Sequence, residues 1–177
     1  MIVKLTKKNL SDLHKSNQPF DIIGKLDVTF RDGKWESREI LFDEVTEKQY
    51  PNYDGTEPIA YIKSDDYAAF LAYEGNECVG QILLCSTWNG YAHIEDISVA
   101  RAWRGKGIGT ELFAKAVEWA TEHHLCGISL ESQDNNVLAS RFYKKNGMHI
   151  GAVNTELYSN LGLPYCAEKA IYWYKFI

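Results

Sequence analysis

The segment IEDISVARAWRGKGIGTELFAKAV, residues 94–117, decides the fold. An apolar run with strand character passes into RGKGIGTE, residues 104–111, where three glycines and two cations, Arg104 and Lys106, stand directly ahead of a helical pattern. In that pattern Ile108, Leu112, Phe113, Ala116, Val117 and Ala120 recur at helical spacing and predict an amphipathic helix over residues 107–123. A strand, a glycine-rich turn and a helix start, in that order, can hold phosphate. The first turn of a helix carries unpaired N–H groups and the positive end of the dipole, and glycine lets a charged ligand come close to the backbone. The plainer alternative is a tight turn with solvated cations, which is the commoner meaning of a lone glycine motif.

Working outward, residues 69–74 and 78–87 read as strands around Gly75-Asn76, and Trp88-Asn89-Gly90 turns the chain into a third strand over residues 91–99. Downstream, residues 127–131 predict a buried strand and residues 135–145 a second amphipathic helix ended by Asn146-Gly147. Residues 148–156 then form a strand, and after a loop with Leu163-Pro164 residues 169–176 close as another, with Tyr172, Tyr174 and Phe176 alternating against Ile171, Trp173 and Lys175. Upstream the signals are weaker. Residues 2–5 suit a strand, Thr6 suits the cap of a short helix reaching His14, and LDVTF and GKWESREILF flank the turn signal Arg31-Asp32-Gly33 as a hairpin. Residues 42–58 mix acids, Pro, Gly and Tyr without periodicity and predict a long loop near a site or an edge. The fold class is α/β in the mixed, α+β sense: a central, mostly antiparallel mixed sheet flanked by helices, in one domain over residues 1–177.

Composition narrows the function. Apolar residues at 45% and charged residues at 24% are ordinary for a soluble globular protein. The longest apolar runs, such as AAFLAY and GQILLC, fall well short of the roughly 20 residues of a membrane helix, and no basic-then-apolar leader opens the chain, so no membrane partner and a cytoplasmic location are expected. A net charge of -5 and a pI near 5.5 argue against a nucleic-acid partner, which would demand a basic face, and suit a cationic one. The four cysteines show no CxxC pairing, and the odd spacing of Cys78 and Cys85 within one strand predicts opposite faces; neither a metal site nor a disulfide framework is indicated. Oligomeric state is not written in the chain, and a homodimer is one arrangement it permits.

Letter by letter, the turn excludes the nucleotide motifs. GxxxxGK[ST] fails because Gly107 follows Lys106, and Gly105, Gly107 and Gly109 read GxGxG rather than GxGxxG. The pattern that fits is R-x-x-G-x-G, through Arg104, Gly107 and Gly109. It resembles the acetyl-CoA-binding segment of the GNAT superfamily of N-acetyltransferases, whose [RQ]-x-x-G-x-[GA] signature wraps the pyrophosphate of coenzyme A. Asn136, Ala139, Phe142, Tyr143, Gly147 and Met148 match that superfamily's second pattern, N-x-x-A-x-x-[LF]-Y-x-x-x-G-[FM]. The two patterns stand in the superfamily's order with a strand between them, and the resemblance covers roughly residues 68–155. Beyond it, NQPFDIIGKLDVTFRDGKWESREILF and the end AIYWYKFI resemble the streptothricin acetyltransferase branch, which acetylates an amine on the β-lysine moiety of a cationic antibiotic.

The resemblance implies acetyl-CoA as cosubstrate, a small cationic amine as the other substrate, and a set of site residues. Backbone groups of Ile97, Ser98 and Val99 would pair with the pantetheine arm, and the pyrophosphate would lie at Arg104, Gly105, Lys106, Gly107, Ile108, Gly109 and Thr110. Asn136, read as one turn into its helix, would hydrogen-bond the pantetheine. Acetyl transfer needs a neutral amine. An alkylammonium with a pKa of about 10.4 lies about 3.4 units from its neutral form at pH 7, a penalty of roughly 4.6 kcal/mol. Glu95 and Asp96 sit on the cofactor strand, on opposite faces by alternation, and Glu95 is the candidate base, directly or through a water. The alternative is that both carboxylates only line the cleft and attract the cation; His93 is the second-choice base. Tyr143, matching the superfamily's tyrosine, would give a proton to the departing thiolate. Asp43, Glu44, Glu47, Glu57, Asp65 and Asp66 read as a solvated acidic surface that could also draw in a polycation. Two other functions compete: an acetyltransferase acting on a protein N-terminus or lysine, and a non-catalytic module that binds coenzyme A.

Overall fold

The computed structural model describes residues 1–177. In chain order its elements are β1 (Ile2–Lys4), β2 (Phe20–Arg31), β3 (Lys34–Lys48), α1 (Ala60–Lys63), β4 (Tyr67–Glu74), β5 (Glu77–Ser86), β6 (Tyr91–Val99), α2 (Ile108–Glu122), β7 (Gly127–Gln133), α3 (Val137–Lys145), β8 (His149–Asn154) and β9 (Ala170–Phe176), with short 3-10 turns between some of them. The mixed α/β class expected from the sequence is what forms, with strand pairing mostly antiparallel. The chain gathers into two compact units. One takes residues 1–19, 49–129 and 176–177, and the other residues 20–48 and 130–175, so β7 begins in the first and ends in the second.

In the first unit the strands run in the order β1-β4-β5-β6 and then the start of β7. The tight connection between β4 and β5 places Glu74 opposite Glu77, with Gly75 at a φ of +57°. Helix α2 covers one face: Ile108, Leu112, Phe113, Ala116, Trp119 and Ala120 are buried along its stripe, the amphipathic set read from the sequence. On the other face Leu5, Tyr61, Ala69, Leu71, Cys78 and Leu83 form an apolar cluster, joined by Val3, Leu10, Leu13, Tyr53 and Tyr67. The short helix expected after Thr6 is instead a single 3-10 turn, Leu10–Asp12; the Thr6 N–H and hydroxyl both donate to Asn9 Oδ1, at 2.7 and 2.9 Å. A side chain that bonds locally in this way favours a turn over a helical first turn.

Two β-bulges in this sheet overturn readings based on strict alternation. Opposite β4, Ala72 pairs with Gly80 and Tyr73 with Cys78, which leaves Val79 as the extra residue. Opposite β5, Asp96 pairs with Leu83 and Ile94 with Leu84, which leaves Glu95 as the extra residue. An extra residue advances the chain by one without advancing the pleat, so the face parity beyond it is inverted. Cys78 and Cys85 therefore share a face rather than taking opposite ones: Cys78 belongs to the apolar cluster, and Cys85 pairs with Tyr67, which packs against it.

In the second unit β2 and β3 form a two-stranded ribbon, and the end of β7, then β9, then β8 form the sheet. The hairpin at Arg31-Asp32-Gly33 forms as expected, with Asp32 and Gly33 at φ of +51° and +76° between the paired Arg31 and Lys34. Left-handed conformation at both central residues matches the twist of the flanking strands. The predicted loop over residues 42–58 begins later than expected, because residues 42–48 continue β3 past an irregularity where residues 42–45 face Ile23 alone. The ribbon's far end is fastened by a buried ion pair, the Lys48 ammonium lying 2.5 and 2.6 Å from the two oxygens of Glu168. Trp173, fully buried, donates its indole N–H to Ser132 Oγ at 3.0 Å. No helix is long and apolar enough to cross a membrane.

Candidate active site

The glycine-rich turn takes the conformation its sequence demands. After β6 a 3-10 turn, Arg101–Trp103, leads to Arg104, and Gly107 caps helix α2. Gly105 and Gly107 have φ of +77° and +93°, a region costly to residues with a side chain, and nothing stands within 4 Å of where a Cβ would lie at either. The first intrahelical bond runs from Glu111 N to Gly107 O at 3.1 Å, so the amides of Ile108, Gly109 and Thr110 precede it at the positive end of the helix. Lys106 lies over the Trp103 ring, its Nζ 4.3 Å from the centroid. Arg104 turns toward backbone: its guanidinium donates to the carbonyls of Val99 (2.8 Å), Pro19 (2.8 Å) and Gln18 (2.9 Å). One of these bonds ties the turn to the end of β6, and the other two tie it to the segment just ahead of β2. Open backbone, outward amides and a neighbouring cation fit a pyrophosphate, the group through which coenzyme A would be held here.

Along β6, Ile97, Ser98 and Val99 pair with Ile82, Gln81 and Gly80 of β5. Beside them stands a polar chain read only from the fold. Gln81 Nε2 donates to Asp96 Oδ2 at 2.5 Å, Gln81 Oε1 accepts the His14 backbone N–H at 2.7 Å, and the hydroxyls of Ser16 and Ser98 are 2.8 Å apart. Burial pushes the Asp96 carboxyl's pKa up, against the stabilising hydrogen bond from Gln81.

Glu95 is held by three hydroxyl groups. Its Oε1 accepts from Tyr53 Oη at 3.0 Å and Thr56 Oγ1 at 3.1 Å, and its Oε2 accepts from Tyr61 Oη at 2.7 Å. Each such bond to a charged acceptor contributes about 1.5–3 kcal/mol. Because Glu95 is the bulged residue, it faces the same side as Asp96: Tyr61, its partner, and Leu83, the register partner of Asp96, belong to one cluster. The opposite faces expected for the two acids are thus corrected, and both carboxylates serve one face of the sheet. Cys85 lies there too, its thiol pushed up to about 12 by burial and by the Glu95 charge. His93 pairs with Cys85 across the strands, its Nδ1 is 3.1 Å from Ser129 Oγ, and burial lowers its pKa.

Tyr53, Thr56 and Tyr61 were not singled out from the sequence. Tyr61 sits on α1, a single turn without a periodic signal, and Tyr53 and Thr56 lie in the irregular stretch that the sequence marked only as a loop near a site. Only their shared acceptor, distant in the chain, gives them meaning. The acidic residues Asp43, Glu44, Glu47, Glu57, Asp65 and Asp66 are all exposed, as the solvated-surface reading expected.

In the second unit Tyr143 is buried on α3, its ring 5.6 Å from Trp173 and 5.7 Å from Phe142 between centroids. Asn136 stands outside the helix rather than one turn inside it. It is the N-cap, and its Oδ1 accepts the Ala139 N–H at 3.1 Å. The predicted start at residue 135 was early because a capping Asn and the first helical residue look alike in sequence.

The class of protein follows from its relatives. Residues 35–148 match the acetyltransferase (GNAT) family, and the chain belongs to that family. It is an N-acetyltransferase that uses acetyl-CoA. Among its relatives, streptothricin acetyltransferase A of Bacillus subtilis (strain 168) is 47% identical over 174 residues, 98% of each chain. A streptothricin acetyltransferase of Escherichia coli is 41% identical over 121 residues, 66% of this chain and 68% of that one. The crystal structure of a Bacillus anthracis protein assigned as a streptothricin acetyltransferase, in complex with acetyl coenzyme A, superposes with a TM-score of 0.90 at 32% identity, covering 100% of this chain and 99% of that one.

Proposed function

We propose that the protein transfers the acetyl group of acetyl-CoA to an amine on the β-lysine moiety of streptothricin, and that this transfer confers resistance to the antibiotic. The observation that carries the reading is the 47% identity to streptothricin acetyltransferase A over 98% of both chains. An acidic chain with net charge -5 suits a polycationic substrate.

In this reading Ile97, Ser98 and Val99 hold the pantetheine arm through backbone groups, and the turn from Arg104 to Thr110 holds the pyrophosphate. Gly105 and Gly107 open the backbone, and Ile108, Gly109 and Thr110 present amides. Lys106 adds charge, and Arg104 fixes the turn through its three carbonyl partners. Asn136 caps the helix that carries Tyr143 and adds a hydrogen bond to the pantetheine. The bound thioester supplies an activated acetyl group. Glu95 takes the proton that the ammonium must lose, against the penalty of roughly 4.6 kcal/mol at pH 7. Tyr143 returns a proton to the departing sulfur; a phenol near pKa 10 is protonated at neutral pH and refills from solvent.

The experiment is free-thiol release from acetyl-CoA in the presence of streptothricin, with Tyr143→Phe alongside. Turnover is expected from the wild type. In Tyr143→Phe a loss of turnover of about 100-fold or more with retained coenzyme binding, read by calorimetry, supports the acid role; full turnover in that variant removes it.

A further inference from the structure

We infer that Tyr53, Thr56 and Glu95 together form the cradle for the substrate's primary ammonium group, with Tyr61 as the residue that positions the carboxylate. The inference rests on the Glu95 reading above and deepens it.

The argument is one of donors and acceptors. A hydroxyl carries one proton and two lone pairs, and an ionised carboxylate only accepts. Here the protons of Tyr53 and Thr56 are both directed at Glu95 Oε1, at 3.0 and 3.1 Å, and that of Tyr61 at Oε2, at 2.7 Å. The Tyr53 and Thr56 hydroxyl oxygens therefore stand together beside Oε1. With their protons committed inward, what the group presents outward is lone pairs and one negative charge. The complement of such a set is all donor and positive. An alkylammonium, with three N–H groups and no acceptor, is that complement, whereas an anion or a plain hydroxyl finds no partner for its own lone pairs.

The two sides of Glu95 differ in burial. Tyr61 is 1% exposed and stands edge-on to Tyr67 at 5.8 Å, locked in the apolar cluster. Tyr53 and Thr56 are only partly buried, in a stretch without regular structure. Solvent, and therefore a substrate, reaches Oε1 from the Tyr53 and Thr56 side. Gly55 makes room for this arrangement: a Cβ at that position would collide with the Tyr53 hydroxyl. On binding, the ammonium donates N–H bonds to Oε1, Tyr53 and Thr56. One N–H proton passes to Oε1, and the freed nitrogen lone pair attacks the acetyl carbon. As the C–N bond is made the C–S bond breaks, and coenzyme A leaves as the thiol with a proton from Tyr143. The second N–H proton, lost as the amide forms, returns to solvent, from which Tyr143 refills. Burial raises the pKa values of Tyr53 and Tyr61, and the Glu95 charge adds to it, so both hydroxyls keep their protons through the step.

The test is calorimetric titration of streptothricin into the full chain saturated with coenzyme A, together with steady-state kinetics, on Tyr53→Phe, Thr56→Val, Gly55→Ala, Thr56→Ser and Tyr61→Phe. Loss of one hydrogen bond to a charged group is expected to weaken streptothricin binding about 10-fold in each of Tyr53→Phe and Thr56→Val, with the acetyl-CoA KM unchanged. Gly55→Ala, which keeps the hydroxyl but displaces it, is expected to behave like Tyr53→Phe, and Thr56→Ser to restore binding to within about twofold. Tyr61→Phe is expected to lower kcat and shift its pH profile while streptothricin binding holds. Unchanged binding in both Tyr53→Phe and Thr56→Val overturns the cradle, even if Glu95→Gln abolishes turnover. Full kcat in Glu95→Gln overturns the base reading instead, and weakened binding in Tyr53→Phe then still supports the cradle.

Discussion

The turn from Arg104 to Gly109 and the middle of β6 lie about ten residues apart, yet their roles are written in different ways. The turn's role is local. Gly105 and Gly107 must take positive φ, and a helix must start where the glycines end, so the letters alone locate it. Glu95's role is distributed over the chain. A bulge swings it onto the face of Asp96, and its three hydroxyl partners come from residues more than thirty positions away, 53, 56 and 61. A site built from backbone conformation survives in the sequence as a motif; one built from side chains meeting across a fold leaves only scattered polar residues.

The difference should appear in kinetics. The largest effect is expected at Glu95: Glu95→Gln should lower kcat with streptothricin by about 10²–10⁴-fold, the range for a general base, with the acetyl-CoA KM nearly unchanged. Gly107→Ala should do the reverse. It forces a Cβ into a φ of +93°, at a cost of about 1–2 kcal/mol, which for a chain of this size lowers Tm by roughly 2–4 °C per kcal/mol. The acetyl-CoA KM should rise about 10-fold while kcat at saturation holds. If Glu95→Gln and Gly107→Ala shift the same constant, the division of labour between the two regions is wrong.

A smaller effect concerns stability against pH. Burial raises the Asp96 carboxyl's folded-state pKa, so the folded protein keeps that proton to higher pH than the unfolded chain does. Its destabilising contribution is absent below the unfolded carboxyl value of about 4, grows as pH rises from there toward the raised folded value, and is complete above it. Asp96→Asn should therefore raise Tm at pH 7 by a few degrees and give no gain at pH 4, as read by thermal melts at both pH values. A gain that is equal at the two pH values would remove the burial argument. The smallest effect is chemical. With its thiol pushed up to about 12, Cys85 should resist alkylation by iodoacetamide at pH 8, while the exposed Cys126 reacts, as peptide mass analysis would show.

The same contrast governs how much was legible beforehand. The strand over residues 91–99 and the helix α2 were readable to within a residue, because period and punctuation are local there. The faces of Cys78 against Cys85 and of Glu95 against Asp96 were misread for one shared reason: strict alternation assumes an unbroken ladder, and the extra residues Val79 and Glu95 break it. Residues 42–48 looked like loop because residues 42–47 are exposed on both sides of the strand and show no apolar period. Tyr53, Thr56 and Tyr61 carried no signal of their own, since only the carboxylate of Glu95, distant in the chain, draws their three hydroxyls together.

The central claim is that this acetyltransferase acts on streptothricin with Glu95 as its base. Its most direct test is the rate of thiol release from acetyl-CoA with streptothricin, followed across pH for the wild type and Glu95→Gln. The account predicts turnover by the wild type and a rate in Glu95→Gln reduced by about 10²-fold or more at pH 7, recovering as the amine loses its own proton at higher pH. No turnover by the wild type, or equal rates for the two proteins across the range, would contradict it.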